Sequence, residues 1–134
     1  MPTIDRPIET AWWTLRLGYG ALAVAIGVDK FFHRLASWDM YLAAWVEALL
    51  PVSTSTFFAA VGAVEITVGV MVLTRWTRAG AYLLTAWLVG IAVQLVTAGM
   101  FYDLAVRDVG LALGAFALAQ LTEGRSSRAV RSGA

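Results

Sequence analysis

Five side chains in this sequence combine chemical capability with an unusual setting: Lys30, Glu65, Gln94, Arg107 and Asp108. Each lies inside or at the edge of a long apolar stretch. Asp29, His33 and Asp103 lie close to them along the chain and could support them. In hydrocarbon a charged side chain costs about 2.5–3.5 kcal/mol on insertion scales, so each needs a partner, a proton or water. Such groups can relay protons, pair with one another, or donate to the carbonyl oxygens of a bound headgroup. His33 and Asp29 supply one imidazole and one carboxylate, an incomplete metal set, so an interfacial contact and no metal site is expected there. The single histidine cannot hold a haem between two imidazoles, and the absence of cysteine excludes thiol chemistry and covalent haem. No Ser/His/Asp set, glycine-rich phosphate loop or HExxH motif is present.

The elements that must position these residues follow from composition. Of the 134 residues, 60% are hydrophobic and 14% charged, against about 45–50% and 25% in soluble domains. A chain this short has too little interior to hide the excess from water. A disulfide scaffold is excluded by the lack of cysteine, and disorder, except at the ends, by the many aromatic and branched residues. A formal net charge of +1 with scattered basic residues argues against nucleic-acid binding. The expectation is an all-α membrane protein in a single membrane domain.

Four spans are predicted, at residues 11–32, 57–73, 79–102 and 103–121. The third carries no formal charge and exceeds the ~20 residues needed to cross a bilayer. The first lacks the short core and small-residue cleavage site of a signal peptide and is read as retained. Between spans one and two, residues 37–50 place Trp38, Tyr41, Leu42, Trp45, Val46 and Leu49 at helical spacing, which predicts an interfacial amphipathic helix ended by Pro51. Residues 1–10 and 123–134 read as polar tails. Trp12, Trp13, Trp38, Trp45 and Trp76 read as interface anchors, and Met40, Met71 and Met100 as packing residues.

Rise per residue puts Glu65 about 12 Å and Gln94 about 10 Å below one membrane surface, with Arg107 and Asp108 about 6–8 Å deep. Lys30 and Asp29 lie near the same surface. Small residues share their faces: Gly20, Ala23 and Gly27 with Arg16 and Lys30; Gly62 and Gly69 with Glu65; Gly90 and Ala98 with Gln94; Gly110, Gly114 and Ala117 with Arg107. Small stripes let membrane helices approach closely, so a polar cluster inside a four-helix bundle is expected. Asp103 is expected to cap the fourth span and face Arg107. Negative charges outnumber positive ones in this cluster, so a protonated Glu65 or a cationic His33 is expected to restore the balance.

Four spans put both termini on one face, with Arg6, Arg16, Arg75, Arg78, Arg125, Arg128 and Arg131; the other face carries Lys30, Arg34 and Arg107. By the positive-inside rule the termini are expected in the cytoplasm, the membrane being a bacterial-type inner membrane.

Three segments resemble the DoxX-like family of membrane proteins. They are Arg16-Leu17-Gly18 leading to Gly27-Val28-Asp29-Lys30-Phe31; Gly62-Ala63-Val64-Glu65-Ile66 with Gly69 and then Thr77-Arg78-Ala79; and Tyr102-Asp103-Leu104-Ala105-Val106-Arg107-Asp108-Val109-Gly110-Leu111. Residues 70–76 depart from the family in lacking a glycine before the loop between spans two and three. The resemblance implies four transmembrane helices, a polar interior at Lys30, Glu65, Arg107 and Asp108, and a link to the quinone pool. It also implies partners, as a subunit of a larger electron-transfer or oxidoreductase complex that the chain would anchor among membrane lipids. The residues themselves leave two alternatives open: a small proton-coupled transporter using Glu65, and a purely structural subunit that fills an interface.

Overall fold

The computed structural model describes residues 5–34 and 37–131, with side chains within 6–127. Its elements are α1 (Asp5–Phe32), a 3₁₀ turn (Trp38–Tyr41), α2 (Ala44–Leu49), α3 (Thr54–Leu73), α4 (Thr77–Thr97) and α5 (Tyr102–Arg131). Four of them, α1, α3, α4 and α5, are long and apolar enough to cross a membrane. The chain is an all-α multi-pass bundle.

The helix boundaries follow local chemistry. Ser53 starts α3 earlier than hydropathy implies, because its hydroxyl accepts from the Thr56 amide at 3.2 Å and satisfies one of the orphan donors of the first turn. α4 stops at Thr97, short of the expected 102, because Gly99 (φ +74°) and Phe101 (φ +62°) turn the chain. His33 (φ +54°) ends α1 in the same left-handed conformation, with its amide donating to the Asp29 carbonyl at 2.6 Å. The expected polar tails are largely helix: α1 begins at Asp5 and α5 runs to Arg131. Residues 1–4 and 132–134 of those tails, and the side chains of Arg128 and Arg131, lie outside the described residues.

The buried faces keep a seven-residue repeat. On α3 the buried set includes Phe58, Gly62, Glu65, Gly69 and Val72; on α5 it includes Ala105, Asp108, Ala112, Ala115 and Ala119. Alternating steps of four and three hold one seam toward a partner along the whole helix. Glu65 and Asp108 therefore occupy seam positions that an apolar residue would take in water.

The bundle is two tight antiparallel pairs, α1 with α3 and α4 with α5. In the first pair Gly27 meets Gly62, and Gly20 meets Gly69. A Cβ on Gly62 would lie 2.5 Å from the Gly27 carbonyl oxygen, and one on Gly69 would lie 2.9 Å from that of Gly20. The second pair is an alanine seam in which Ala81, Ala92, Ala105, Ala112, Ala115 and Ala119 are all buried. The glycine stripes expected on α4 and α5 do not pack there. Gly90 and Gly110 have open space where a Cβ would be, because alanine already allows the approach on the opposite side. Gly114 makes room instead for Tyr19, whose hydroxyl donates to the Leu111 carbonyl at 2.7 Å.

Trp12 is buried rather than interfacial; its indole donates to Thr122 Oγ1 at 2.9 Å and ties α1 to α5. Trp13, Trp45 and Trp76 are exposed, and so are Met40 and Met100, which were expected to pack. Arg16 crosses to the end of α3 and donates to the carbonyls of Val72, Leu73 and Thr74 at 3.0, 2.9 and 3.0 Å. A cation there satisfies orphan acceptors and matches the negative end of the helix dipole.

Gly27→Ala or Gly62→Ala should force α1 and α3 apart and lower stability by about 1–3 kcal/mol, the usual cost of overpacking. Gly90→Ala should be neutral or slightly stabilising. Thermal unfolding in mild detergent separates the two outcomes.

Candidate functional site

α1 and α3 run antiparallel, and each side chain leans toward the N-terminus of its own helix. Lys30, near the end of α1, therefore leans into the bilayer, while Glu65, mid-way along α3, leans outward to meet it. Lys30 Nζ lies 2.8 Å from Glu65 Oε2, with side-chain exposures of 6% and 7%. The other carboxylate oxygen, Oε1, accepts from the Trp87 indole of α4 at 3.1 Å. Both oxygens of Glu65 thus act as acceptors, which is the pattern of an ionised carboxylate. The Lys30 ammonium supplies its counter-charge directly.

The cluster is closed from the nearer surface by the segment between α1 and α3. The Trp38 ring lies over the ammonium, with Lys30 Nζ 3.9 Å from its centroid, a cation–π contact. The Trp38 indole donates to Asp29 Oδ2 at 2.9 Å, and Asp29 Oδ1 accepts from the Arg34 amide at 3.0 Å. Asp29 is buried and anchors this lid. His33 is exposed at the end of α1, where its backbone makes the turn.

Gln94 holds the same segment from α4. Its Nε2 donates to the Tyr41 carbonyl at 3.0 Å, and its Oε1 accepts from the Ala43 amide. A side-chain amide reading two backbone groups keeps residues 42 and 43 extended, so the expected helix over 37–50 forms as two short pieces around this clamp. Trp45 adds a bond to Thr97 Oγ1 at 2.9 Å.

Asp108 is buried on α5. Its ion-pair partner is the adjacent Arg107, whose Nη2 lies 3.1 Å from Oδ1. The two differ sharply in exposure: the Arg107 side chain is 59% accessible and that of Asp108 is 4%. The expected Asp103–Arg107 pair is not formed. Asp103 is exposed in the first turn of α5, because Arg107 turns toward its buried neighbour.

The structure therefore brings Lys30 and Glu65 together, with Asp29 at their edge, pairs buried Asp108 with Arg107 on α5, and uses Gln94 as a clamp. It leaves Arg107 at the surface and Asp103 and His33 outside. Lys30 pairs with Glu65 and Arg107 with Asp108, but Asp29, Glu65 and Asp108 are buried with Lys30 while Arg107 is exposed, so the buried groups keep the excess of carboxyls expected from the sequence. Sequence reasoning missed Trp87 entirely and placed Trp38 at the interface. A signal existed for Trp87: an indole N–H in mid-span needs an acceptor, and Glu65 lies at its depth.

Among the described residues, no buried side-chain nitrogen or oxygen lacks a hydrogen-bond partner, and no group of three or more histidine or acidic side chains could hold a metal. Beyond Glu65 the interior is Val68, Val72, Leu84, Ala115 and Leu118. In this interior the oxygens of Glu65 and the amide of Gln94 are engaged by groups of the chain itself. Of Lys30, Glu65, Gln94, Arg107 and Asp108, Arg107 is the exposed one. The chain matches no family model, no curated protein and no solved structure.

Two outcomes test this site. Lys30→Met or Glu65→Leu alone should cost about 3–5 kcal/mol, because each strands a buried charge. The double variant should recover most of that loss; additive losses in a double-mutant cycle would show that the pair is not coupled. Gln94→Leu should free the connector, and hydrogen exchange of residues 37–50 should rise while the four long helices stay protected.

Proposed function

We propose that this chain is a DoxX-like integral membrane subunit of a larger oxidoreductase assembly, not a catalyst by itself. It sits in a bacterial-type inner membrane with both termini in the cytoplasm. Its role is to anchor partner subunits and to present Arg107 toward a headgroup, quinone or lipid, at a surface that a partner completes.

The observation that carries this reading is the contrast between Arg107 and the interior behind it. Among the described residues, every buried side-chain nitrogen and oxygen is answered within the chain, which suits a scaffold. One guanidinium, a turn into α5, is held by a buried carboxylate and yet is 59% exposed. A cation at that depth needs an anionic or carbonyl partner, and the bundle supplies only Asp108. The seven-to-three excess of cations on the face bearing the termini supports the orientation. The transporter alternative is weaker, because beyond Glu65 the buried face of α3 continues as the packed apolar residues Val68 and Val72.

Native mass spectrometry from mild detergent should show a stoichiometric membrane partner. A chain that only self-associates and moves protons in liposomes would sink the reading. In the assembled complex, Arg107→Gln should lower quinone-dependent turnover about 10- to 100-fold, the scale of one charged hydrogen bond, with assembly retained. Unchanged turnover would remove Arg107 from the headgroup site.

A further inference from the structure

The two tight helix pairs meet along looser seams, and each seam carries an open-sided hollow. One hollow, of about 320 Å³, lies between α3 and α4 and is wholly apolar apart from Thr67. The other, of about 510 Å³, lies between the start of α1 and the end of α5. Its lining is Ile8, Ala117, Gln120, Leu121, Gly124 and Arg125. The second hollow combines features that the first lacks.

Its depth is set by the α4–α5 register. Ala81 and Ala119 share one core cluster, as do Leu84 and Ala115. That register puts Ala117 about 9 Å inside the level of Thr77, where α4 begins, and Arg125 about 3 Å outside it. The hollow thus runs from the hydrocarbon to the headgroup layer. Its inner end opens onto acyl chains, and an apolar recess in hydrocarbon is filled by a lipid tail and not by water. The Gln120 amide is turned aside onto the Tyr82 hydroxyl at 2.9 Å, which leaves the recess apolar.

Its outer end is a fixed guanidinium. Arg125 stacks on the Trp12 ring at 3.7 Å. Glu9 takes its Nε and Nη2 at 2.8 and 3.1 Å. Nη1 is left without an acceptor among the described residues. Trp12 is itself locked by its bond to Thr122, so the guanidinium is positioned before any ligand arrives. The surrounding face is electropositive: seven arginines stand against Asp5, Glu9 and Glu123.

We propose that this hollow binds one anionic phospholipid, with an acyl chain along Ala117 and Leu121 and the phosphate on Arg125. The site is independent of any quinone contact at Arg107, which lies toward the opposite surface. Basic pockets between helices at the electropositive face of a membrane protein suit such headgroups.

The test is native mass spectrometry of the full chain, delipidated and then titrated with phosphatidylglycerol or phosphatidylcholine in mild detergent. The native chain should retain one phosphatidylglycerol and prefer it about fivefold, the scale of one arginine at an anionic surface. Arg125→Gln should bring the two lipids to parity. Ala117→Phe, which fills the hollow and touches no ion pair, should displace both lipids while circular dichroism stays unchanged. It carries the test even if Arg125→Gln disturbs the contact with Glu9. Equal retention of the two lipids by the native chain, retention of neither, or unchanged binding in Ala117→Phe overturns the proposal.

Discussion

The Lys30–Glu65 ion pair places the strictest demand on this bundle. Two charges in hydrocarbon are tolerable only when each is fully answered, and here that takes three helices and a connector. Helices α1 and α3 must cross closely enough for the side chains to meet, which Gly27 and Gly62 allow because neither places a Cβ between the backbones. α4 must present Trp87 at the same depth to satisfy the second carboxylate oxygen. Trp38 must fold over the ammonium, and that in turn requires the connector to be pinned by Asp29 and Gln94. Loss of a partner leaves a buried polar group unanswered, at a cost of about 1–3 kcal/mol and more for a charge.

The same completeness bears on function. A site built to hold a ligand usually keeps convergent polar groups and a cavity to receive it. Among the described residues, the buried side-chain donors and acceptors of this interior satisfy one another. Chemistry with the surroundings is left to the periphery, at Arg107 toward one surface and Arg125 toward the other. Both guanidiniums are braced by a carboxylate, and both sit within reach of the headgroup layer.

Much of the candidate site was legible before any coordinates. Lys30 and Glu65 sit on three–four stripes with glycine, and a charge on such a stripe points into a bundle. What misled was treating every polar residue as part of one pool. Gln94 shares depth with the cluster, yet its amide reads the backbone of Tyr41 and Ala43. Arg107 sits beside Asp108 in sequence, but adjacent helical positions point about 100° apart, so one is buried and the other exposed. Trp12 and Trp38 carry the same amphipathic ring as Trp13 and Trp45, and only the packing around each distinguishes them.

Hydropathy and charge spacing along the chain were enough to determine the helix count, the membrane setting and which residues are costly to bury. Those properties depend on each segment's own transfer from water to lipid. Which helices pair tightly, which carboxylate answers which cation, and where the connector breaks were decided only in three dimensions. These depend on the rotation of one helix against another, and a single sequence records periodicity without recording which partner each face meets.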